Sequence, residues 1–299
     1  MEKTAIGIDL GCTHIKALLV EEDGTIVKEV RKETHEHDDQ HWKNEIAKII
    51  KEFRQVSPSE IKGIGLSAPG LANASNTCIE YMPGRLPGLE NFNWGDFTKE
   101  KVVVLNDAHA ALMAEARFGI ARNLKFVAML TLGTGVGGGI LIDGKLYQGV
   151  GQMAGHLGHI TVDALDPDKD VTNMPGSLED AIGNLSIQKR SVGKFETTWD
   201  LVKAYEEGDS FAKEIWLTSI KKLAAAIASF INILSPELII IGGGISKAEE
   251  LLLKPLNEYR AQFEWRPGGK QIPVRLAQFS DLAGALGAAG FALSKSIEN

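Results

Sequence analysis

Short glycine-rich segments are the parts of this sequence with the clearest potential for chemistry. The first, Asp9-Leu10-Gly11-Cys12-Thr13, joins two apolar runs. Because Gly11 has no side chain, backbone N–H groups around it could approach a phosphate group closely. Thr13 could add its hydroxyl group, and Asp9 could hold a magnesium ion through water. The segment is a candidate phosphate-binding turn, although a hairpin turn of this kind more often binds nothing.

Two further glycine clusters lie in the second half of the chain. The segment 133–139 contains Gly133, Thr134 and Gly135, and we expect it to form a second phosphate-binding turn in which Thr134 supplies a hydroxyl group. Gly243 and Gly244 lie where an apolar strand leads into a helix, which is a suitable position for adenosine. Each cluster alone is weak evidence, but three in matched positions favour a nucleoside triphosphate site.

The elements that would position these segments repeat along the chain. Each half has a strand, a glycine-rich turn, a second strand and an Asp-Gly turn, and later a helix, a strand and another glycine-rich turn. This order predicts a duplicated mixed α/β fold with ligands in the cleft between the halves. We expect an N-terminal domain over 1–118 and a C-terminal domain over 119–299. The last helix, over about 281–297, would fold back onto the first domain.

Composition excludes several classes of function. The 299 residues include 39 acidic and 32 basic side chains, a net charge of −7, and no run of Lys and Arg. Binding to nucleic acid or to an anionic membrane is therefore not expected. Only two cysteines are present, Cys12 and Cys78, which argues against a disulfide scaffold. The most apolar helix candidate, 220–234, is too short for a bilayer, and no signal peptide is apparent, so we expect a cytoplasmic protein.

Five motifs occur in an order that resembles the ROK family of repressors, open reading frames and sugar kinases, which has the actin-like ATPase (ribonuclease H-like) fold. They are Asp-x-Gly-x-Thr from Asp9, Asn106-Asp107-Ala108, Leu-Gly-Thr-Gly-Val-Gly-Gly-Gly from Leu132, Gly-x-Leu-Gly-His ending at His159, and Ile-Gly-Gly-Gly-Ile from Ile241. The resemblance covers nearly the whole chain. It implies an ATP-dependent kinase that uses ATP with Mg²⁺, phosphorylates a hexose or an amino sugar, and forms a homodimer.

Asp107 is the candidate catalytic base. It follows the apolar strand 102–105 and precedes the helix 108–118, so its spacing alone favours an N-cap of that helix. A sugar hydroxyl is a poor nucleophile, and a kinase needs a carboxylate to accept its proton. Asn106-Asp107 matches the sugar-binding Asn and the catalytic Asp of the family. The resemblance therefore implies that Asp107 is the base and that Asn106 and Asp107 contact the sugar.

Three more residues match sugar contacts of the family. These are Gly70 in Ser67-Ala68-Pro69-Gly70, His159 in the Gly-His pair, and Glu179. Without the resemblance, Gly70 would belong to an ordinary turn, His159 would be a structural histidine and Glu179 an acid in the first turn of a helix.

Several positions depart from the family pattern. Asp170, Thr172 and Ser177 stand where many members have three zinc-binding cysteines, so we predict no structural zinc. His156 stands where a sugar-binding Glu is usual, and we include it among the candidate sugar contacts.

Arg85 stands where many members have Asn, and two interpretations of it are open. It could favour a carboxylate or phosphate group on the sugar, or it could pair with Glu80 or Glu90 at the surface. Cys12 replaces a glycine in the first turn. These departures leave the identity of the sugar open.

Two alternatives to a kinase follow from the same resemblance. A sugar-responsive repressor would carry a helix-turn-helix domain before the first motif, and only eight residues precede Asp9, so this interpretation is poor. A non-catalytic sugar sensor stays open because of His156, although the presence of Asp107 argues against it.

Overall fold

A computed structural model describes residues 3–297 of the chain. Its strands are β1 (Thr4–Leu10), β2 (His14–Glu21), β3 (Ile26–Glu33), β4 (Ile61–Ala68), β5 (Leu71–Ala72), β6 (Ile79–Tyr81), β7 (Val102–Asn106), β8 (Val127–Leu132), β9 (Val136–Ile142), β10 (Lys145–Leu146), β11 (Leu238–Gly242) and β12 (Val274–Leu276). Its α-helices are α1 (Asp39–Val56), α2 (Trp94–Thr98), α3 (Asp107–Phe118), α4 (Leu178–Ile182), α5 (Ile187–Arg190), α6 (Thr198–Glu206), α7 (Ser210–Leu234), α8 (Glu250–Phe263) and α9 (Ala283–Ile297).

Two five-stranded sheets share one topology. The first has the order β3-β2-β1-β4-β7 and the second the order β10-β9-β8-β11-β12. In each sheet the first three strands are antiparallel neighbours, and the remaining two continue the sheet in parallel with the central strand. The mixed α/β class predicted from the sequence is confirmed. The repeated strand order is what a duplication of one unit produces.

The chain divides into two compact units. Unit 1 contains residues 3–123, 148–154 and 278–297 of the described chain, and unit 2 contains residues 124–147 and 155–277. The sequence analysis gave an N-terminal domain over 1–118 and a C-terminal domain over 119–299. In the structure, unit 1 also includes three segments of the second range, which are 119–123, 148–154 and 278–297.

Helices cover the first sheet on both of its faces. On one face, α1 buries an apolar stripe, Trp42, Ile46, Ile49, Ile50 and Phe53, against Ile6, Ile8 and Leu10 of β1. On the other face, α9 packs against β1 and β4. A Cβ atom at Gly65 would lie 2.0 Å from the carbonyl oxygen of Ala288, so glycine in β4 is required for this close approach.

The second glycine-rich turn is shorter than predicted. Only Gly133–Gly135 form the turn, because Val136 to Gly139 are the first residues of β9 and pair with β8. A Cβ atom at Gly138 would lie 2.7 Å from the carbonyl oxygen of Gly155. Glycine in this run therefore allows close packing of a strand instead of forming a loop.

The longest helix corrects the length argument made from the sequence. α7 has 25 residues because it begins at Ser210, well before the expected start near Ile220. By length and composition alone it could cross a membrane, and it is the one helix of residues 3–297 that could. Its stripe of Trp216, Ile220, Leu223 and Ile227 is fully buried in the core of unit 2.

Candidate active site

Asp107 is the first residue of α3, and its neighbour serves as the helix cap. The Asn106 Oδ1 atom accepts hydrogen bonds from the backbone N–H groups of Ala108 (2.9 Å) and His109 (3.2 Å). The Asn106 side chain also donates to the carbonyl oxygen of Gly70 at 2.9 Å. The capping role considered for Asp107 therefore belongs to Asn106. Both polar atoms of Asn106 hold protein groups together. Asp107 is exposed to solvent, and its Oδ1 atom accepts the N–H group of Ala108 at 2.7 Å.

The environment of Asp107 changes its acidity. The residue is accessible to solvent, but the protein surrounding its carboxyl group removes much of its hydration. This desolvation, together with the negative charge of Asp9, raises the pKa of the Asp107 carboxyl to about 6. A carboxylate with a pKa close to the working pH is well suited to accept a proton during a reaction.

Asp9 is another carboxylate of unit 1 with a raised pKa. Burial at the end of β1 raises the pKa of Asp9, whereas a hydrogen bond from Ser67 and the charge of Lys16 oppose the increase. The Ser67 hydroxyl donates to Asp9 Oδ1 at 2.6 Å, which joins the end of β4 to the end of β1. Ser67 begins the segment that ends at Gly70, so the predicted nucleotide and sugar residues of unit 1 form one hydrogen-bonded neighbourhood.

The first glycine-rich turn closes the β1–β2 hairpin. The Gly11 N–H group donates to the carbonyl oxygen of His14 at 3.0 Å. Thr34, which is completely buried, donates its hydroxyl to the carbonyl oxygen of Gly11 (2.6 Å) and its N–H group to that of Thr13 (3.0 Å). Cys12 packs against the apolar core of unit 1. The sequence analysis missed Thr34, since nothing near it in the sequence marks its partners.

The second glycine-rich turn contacts Glu179 directly. Glu179 lies in α4 with 9% of its surface exposed, and its Oε2 atom accepts the N–H group of Val136 at 2.8 Å. A Cβ atom at Gly135 would lie 2.2 Å from the same oxygen. Glycine at position 135 thus leaves the space that the carboxylate occupies.

Backbone hydrogen bonds also join this turn to the segment after α4. The N–H groups of Asn184 and Leu185 donate to the carbonyl oxygens of Gly133 and Thr134, both at 2.9 Å. The third glycine cluster lies against the same turn, because a Cβ atom at Gly243 would lie 2.3 Å from the carbonyl oxygen of Leu132. The structure therefore brings Gly133–Gly135, Glu179 and Gly243 together within unit 2. Gly244 begins a short 3₁₀ helix, and a Cβ atom at this position would meet nothing within 4 Å.

A family model described as the ROK family matches residues 5–295. The chain is a member of the ROK family. A glucokinase of Thermotoga maritima is 32% identical to it over 95% of both chains. An N-acetylmannosamine kinase of Vibrio cholerae is also 32% identical, over 95% of this chain and 97% of that protein.

Solved structures of ROK proteins share the fold. A ROK hexokinase from Thermus thermophilus superimposes with a TM-score of 0.89 at 25% identity, covering 99% of this chain and 100% of that one. A ROK family glucokinase from Streptomyces griseus, in complex with glucose and AMPPNP, gives a TM-score of 0.77 at 25% identity, covering 97% and 99%. The actin-like ATPase fold implied by the sequence motifs is confirmed.

The positions where many ROK proteins have zinc-binding cysteines form hydrogen bonds in this member. Asp170 Oδ1 accepts from the Thr172 N–H group (2.8 Å), the Thr172 hydroxyl (2.7 Å) and the Met174 N–H group (3.0 Å). Ser177 caps α4 by accepting the N–H group of Asp180 at 3.1 Å. Burial alone would raise the pKa of Asp170, but hydrogen bonds from Ser177 and Thr172 outweigh it and lower the pKa.

A zinc–thiolate site does not fit these residues. His159, Asp170 and Glu179 do place nitrogen and oxygen atoms within 4.8 Å of one another, with His159 Nδ1 at 3.7 Å from Asp170 Oδ2. None of the three supplies sulfur, however, and Glu179 Oε2 and Asp170 Oδ1 already accept protein N–H groups. In this protein the hydrogen-bonded carboxylate of Asp170 holds the loop in place, whereas many other members of the family use a metal ion at this position.

The structure also shows the surroundings of two further residues that depart from the family pattern, Arg85 and His156. Arg85 pairs with Glu36, through its Nε atom and through a second nitrogen at 3.1 Å, and not with Glu80 or Glu90 as the sequence suggested. The prediction of a surface ion pair therefore had the wrong partner, because Glu36 lies 49 residues away in sequence. His156 lies near His159, with ring centroids 6.4 Å apart and nearly parallel planes.

Arg190 is a buried residue that the sequence analysis did not single out. Its guanidinium group donates to the hydroxyls of Ser186 (2.9 Å) and Ser219 (2.8 Å) and to the carbonyl oxygens of Ile182 (3.3 Å) and Gly183 (3.0 Å). Burial lowers the pKa of Arg190 to about 10, against the opposing charge of Asp180. Arg190 thus fixes the carboxyl end of α4 to α7 and supports Glu179 and the second turn indirectly.

Proposed function

We propose that this protein transfers the γ-phosphoryl group of ATP to a hydroxyl group of a hexose or an amino sugar, with Asp107 as the general base. The observation that carries the proposal is the placement of Asp107. Its carboxyl group follows the carboxyl end of β7, accepts the Ala108 N–H group with one oxygen, is exposed to solvent and has a pKa raised to about 6. The names of the relatives, a glucokinase and an N-acetylmannosamine kinase, support the same class of reaction.

In the proposed reaction, the Asp107 carboxylate accepts the proton of the sugar hydroxyl. The hydroxyl oxygen forms a bond to the γ-phosphorus, the bond from that phosphorus to the bridging oxygen breaks, and ADP leaves with the electron pair. The protonated Asp107 then returns its proton to solvent. The phosphoryl group passes directly from ATP to the sugar. The protein therefore contributes mainly by holding the two substrates in line and by stabilising the charge that develops on the transferred group.

We assign the nucleotide to the three glycine segments. Gly11 and Thr13 would hold phosphate groups from unit 1, and Gly133, Thr134 and Gly135 would hold them from unit 2. Gly243 and Gly244 would lie against the adenosine. A magnesium ion bound with ATP would neutralise phosphate charge, and the carboxylate of Asp9 is the oxygen ligand suited to hold it through water.

We assign the sugar to residues that match contacts of the family. Gly70, Asn106 and Asp107 belong to unit 1, and His156, His159 and Glu179 belong to unit 2. The Asn106 side chain already bonds Gly70 and caps α3, so we propose that it contributes chiefly by fixing the Gly70 backbone and Asp107.

A coupled assay of ADP release tests the proposal. The sugar panel should contain glucose, N-acetylmannosamine, N-acetylglucosamine and a uronic acid, with ATP and magnesium. We expect turnover with at least one neutral sugar. If no sugar supports ADP release between pH 6 and pH 9, the proposal is wrong.

A non-catalytic sugar sensor is the second candidate, and His156 is the observation that favours it, because a sugar-binding Glu is usual at that position. A sensor would bind a sugar, detected as a rise in the unfolding temperature, without releasing ADP. Turnover that is lost when Asp107 is replaced would exclude this candidate. The expectations of a cytoplasmic location and of a homodimer stay predictions.

We expect the proposed site to hold no structural zinc, because Asp170, Thr172 and Ser177 stand at the three cysteine positions. We expect elemental analysis of the purified protein to find well under one zinc per chain, and treatment with EDTA to leave the unfolding temperature unchanged. About one zinc per chain, with an unfolding temperature that falls when the metal is removed, would contradict this assignment.

A further inference from the structure

One carboxylate in unit 2 is shared by two parts of the proposed site. Glu179 is a proposed sugar contact, and its Oε2 atom accepts the N–H group of Val136 at the end of the second phosphate turn. The contact is buried and has a length of 2.8 Å, which is that of a strong hydrogen bond to a charged acceptor. A carboxylate has two oxygens, so Oε1 can accept from a sugar hydroxyl while Oε2 keeps its backbone partner.

Further contacts connect α4 to the turn. The N–H groups of Asn184 and Leu185, directly after α4, hold the carbonyl oxygens of Gly133 and Thr134. Gly183 lies so close to the turn that a Cβ atom there would be 3.2 Å from the Thr134 carbonyl oxygen. Glu179 contacts the end of the turn at Val136, and the residues after α4 contact its start at Gly133 and Thr134. A displacement of Glu179 is therefore transmitted to both ends of the turn.

We propose that Glu179 couples the two substrates, so that a sugar bound to its carboxylate orders the phosphate turn for ATP and raises the affinity for the nucleotide. The proposal rests on the function proposed above. A sugar hydroxyl that donates to Oε1 fixes the carboxylate, which restricts the Val136 N–H group and the turn before it. The nucleotide then loses less conformational entropy when it binds an ordered turn. By thermodynamic reciprocity, the nucleotide raises the affinity for the sugar by the same factor.

Two glycines of the same turn provide a matched pair of variants. Neither Gly133 nor Gly135 has a positive φ, so alanine is compatible with the backbone at both positions. The Cβ atom at 135 would collide with Glu179 Oε2, whereas the Cβ atom at 133 would meet nothing within 4 Å. Gly135→Ala therefore displaces the carboxylate from Val136, and Gly133→Ala adds the same methyl group to the turn without touching Glu179.

The experiment measures the dissociation constant of AMP-PNP by calorimetry with and without a saturating sugar, using the best substrate of the sugar panel. We expect the sugar to tighten nucleotide binding about tenfold in the parent protein, a usual size for coupling between sites. Gly133→Ala should keep this ratio, even if both affinities fall. Gly135→Ala should reduce it to below about twofold. A parent ratio near one, or an equal ratio in the two variants, would overturn the proposal.

Hydrogen exchange of the Val136 amide provides a second measurement that needs no variant. The sugar alone, without nucleotide, should slow this exchange at least about threefold, because it fixes the acceptor of that N–H group. An unchanged rate would overturn the coupling while leaving turnover intact. If no sugar is phosphorylated, the proposed function itself is wrong. If a sugar is phosphorylated but the exchange rate and the affinity ratio do not change, only the coupling is wrong, so the two failures are distinguishable.

Discussion

The turns at Gly11 and at Gly133–Gly135 close equivalent hairpins in two sheets of the same strand order, but different groups hold them in place. The first turn depends on one buried side chain, Thr34, which follows β3 of the same sheet. The second depends on backbone N–H groups after α4 and on the Glu179 carboxylate. The strand order of the two units is thus the same, whereas the contacts that fix their loops have diverged, and the second turn is joined directly to a proposed sugar ligand, Glu179.

The two regions also differ in their acid–base character. Unit 1 places Asp9 and Asp107 where burial raises the pKa of both carboxyl groups. Next to the second turn, the carboxylate of Glu179 accepts a backbone N–H group and is used as a structural acceptor. We therefore expect proton transfer to depend on unit 1 and the coupling of ligands to depend on unit 2.

The largest expected effect comes from Asp107→Asn. The amide keeps the shape of the side chain but cannot accept the proton, so kcat should fall by about 10²–10⁴, the usual contribution of a general base. Sugar binding, measured by calorimetry, should survive. Retention of most of the turnover would show that the base lies elsewhere.

The stability of the same variant serves as a control. A carboxyl group whose pKa is higher in the folded state than in the unfolded state destabilises the fold as the pH rises from about 4 through about 6. The neutral amide escapes this effect, so Asp107→Asn should unfold at the same temperature as the parent, or a higher one, at pH 8. A lower unfolding temperature would indicate that structural damage contributes to the loss of activity.

The pH dependence of the parent enzyme gives the next largest effect. Because the base must be ionised, kcat/KM should fall about tenfold per pH unit below about pH 6, where the Asp107 carboxyl takes up its proton. Asp9→Asn removes a neighbouring negative charge, so the acid limb should move to lower pH whatever happens to the maximal rate. An acid limb near pH 4 in the parent would contradict the raised pKa of Asp107.

A smaller effect should follow when the first turn loses its anchor. Thr34→Val removes the hydroxyl bond to Gly11 at nearly constant volume, and we expect the KM for ATP to rise about three- to tenfold, the size of one net hydrogen bond. Thr34→Ser keeps the hydroxyl and is the matched control. Within residues 3–297, no carboxylate of a proposed sugar contact accepts an N–H group of this turn as Glu179 accepts that of Val136, so the ratio of nucleotide affinities with and without sugar should stay at the parent value.

The smallest effect is expected at Arg85. Its guanidinium group already pairs with Glu36 and is half exposed, and exposed ion pairs contribute little. Arg85→Asn should change the ranking of neutral and acidic sugars in the panel by less than about twofold. A tenfold shift toward neutral sugars would show that Arg85 acts on the substrate.

The sequence predicted the features that rest on local patterns. The position of Asp107 between a strand and a helix follows from the local pattern, whereas its assignment as the base rests on the match of Asn106-Asp107 to the family motif and stays a prediction. The contacts of Thr34, Arg85 and Arg190 were not predictable, because their partners are backbone carbonyls or acids brought near only by the folded chain. The glycines of β9 were assigned to a loop because glycine used for close packing looks the same in sequence as glycine used for turning.

The position of α9 has a consequence for the order in which the protein can fold. This helix covers the face of β1 and β4 in unit 1, yet it is synthesised after all of unit 2. During translation, the apolar residues of that face, such as Ala5 and Leu18, remain uncovered while unit 2 already has its complete sequence. We therefore expect unit 2 to be able to fold before unit 1, because the sheet of unit 1 is covered on this face only after α9 has been synthesised.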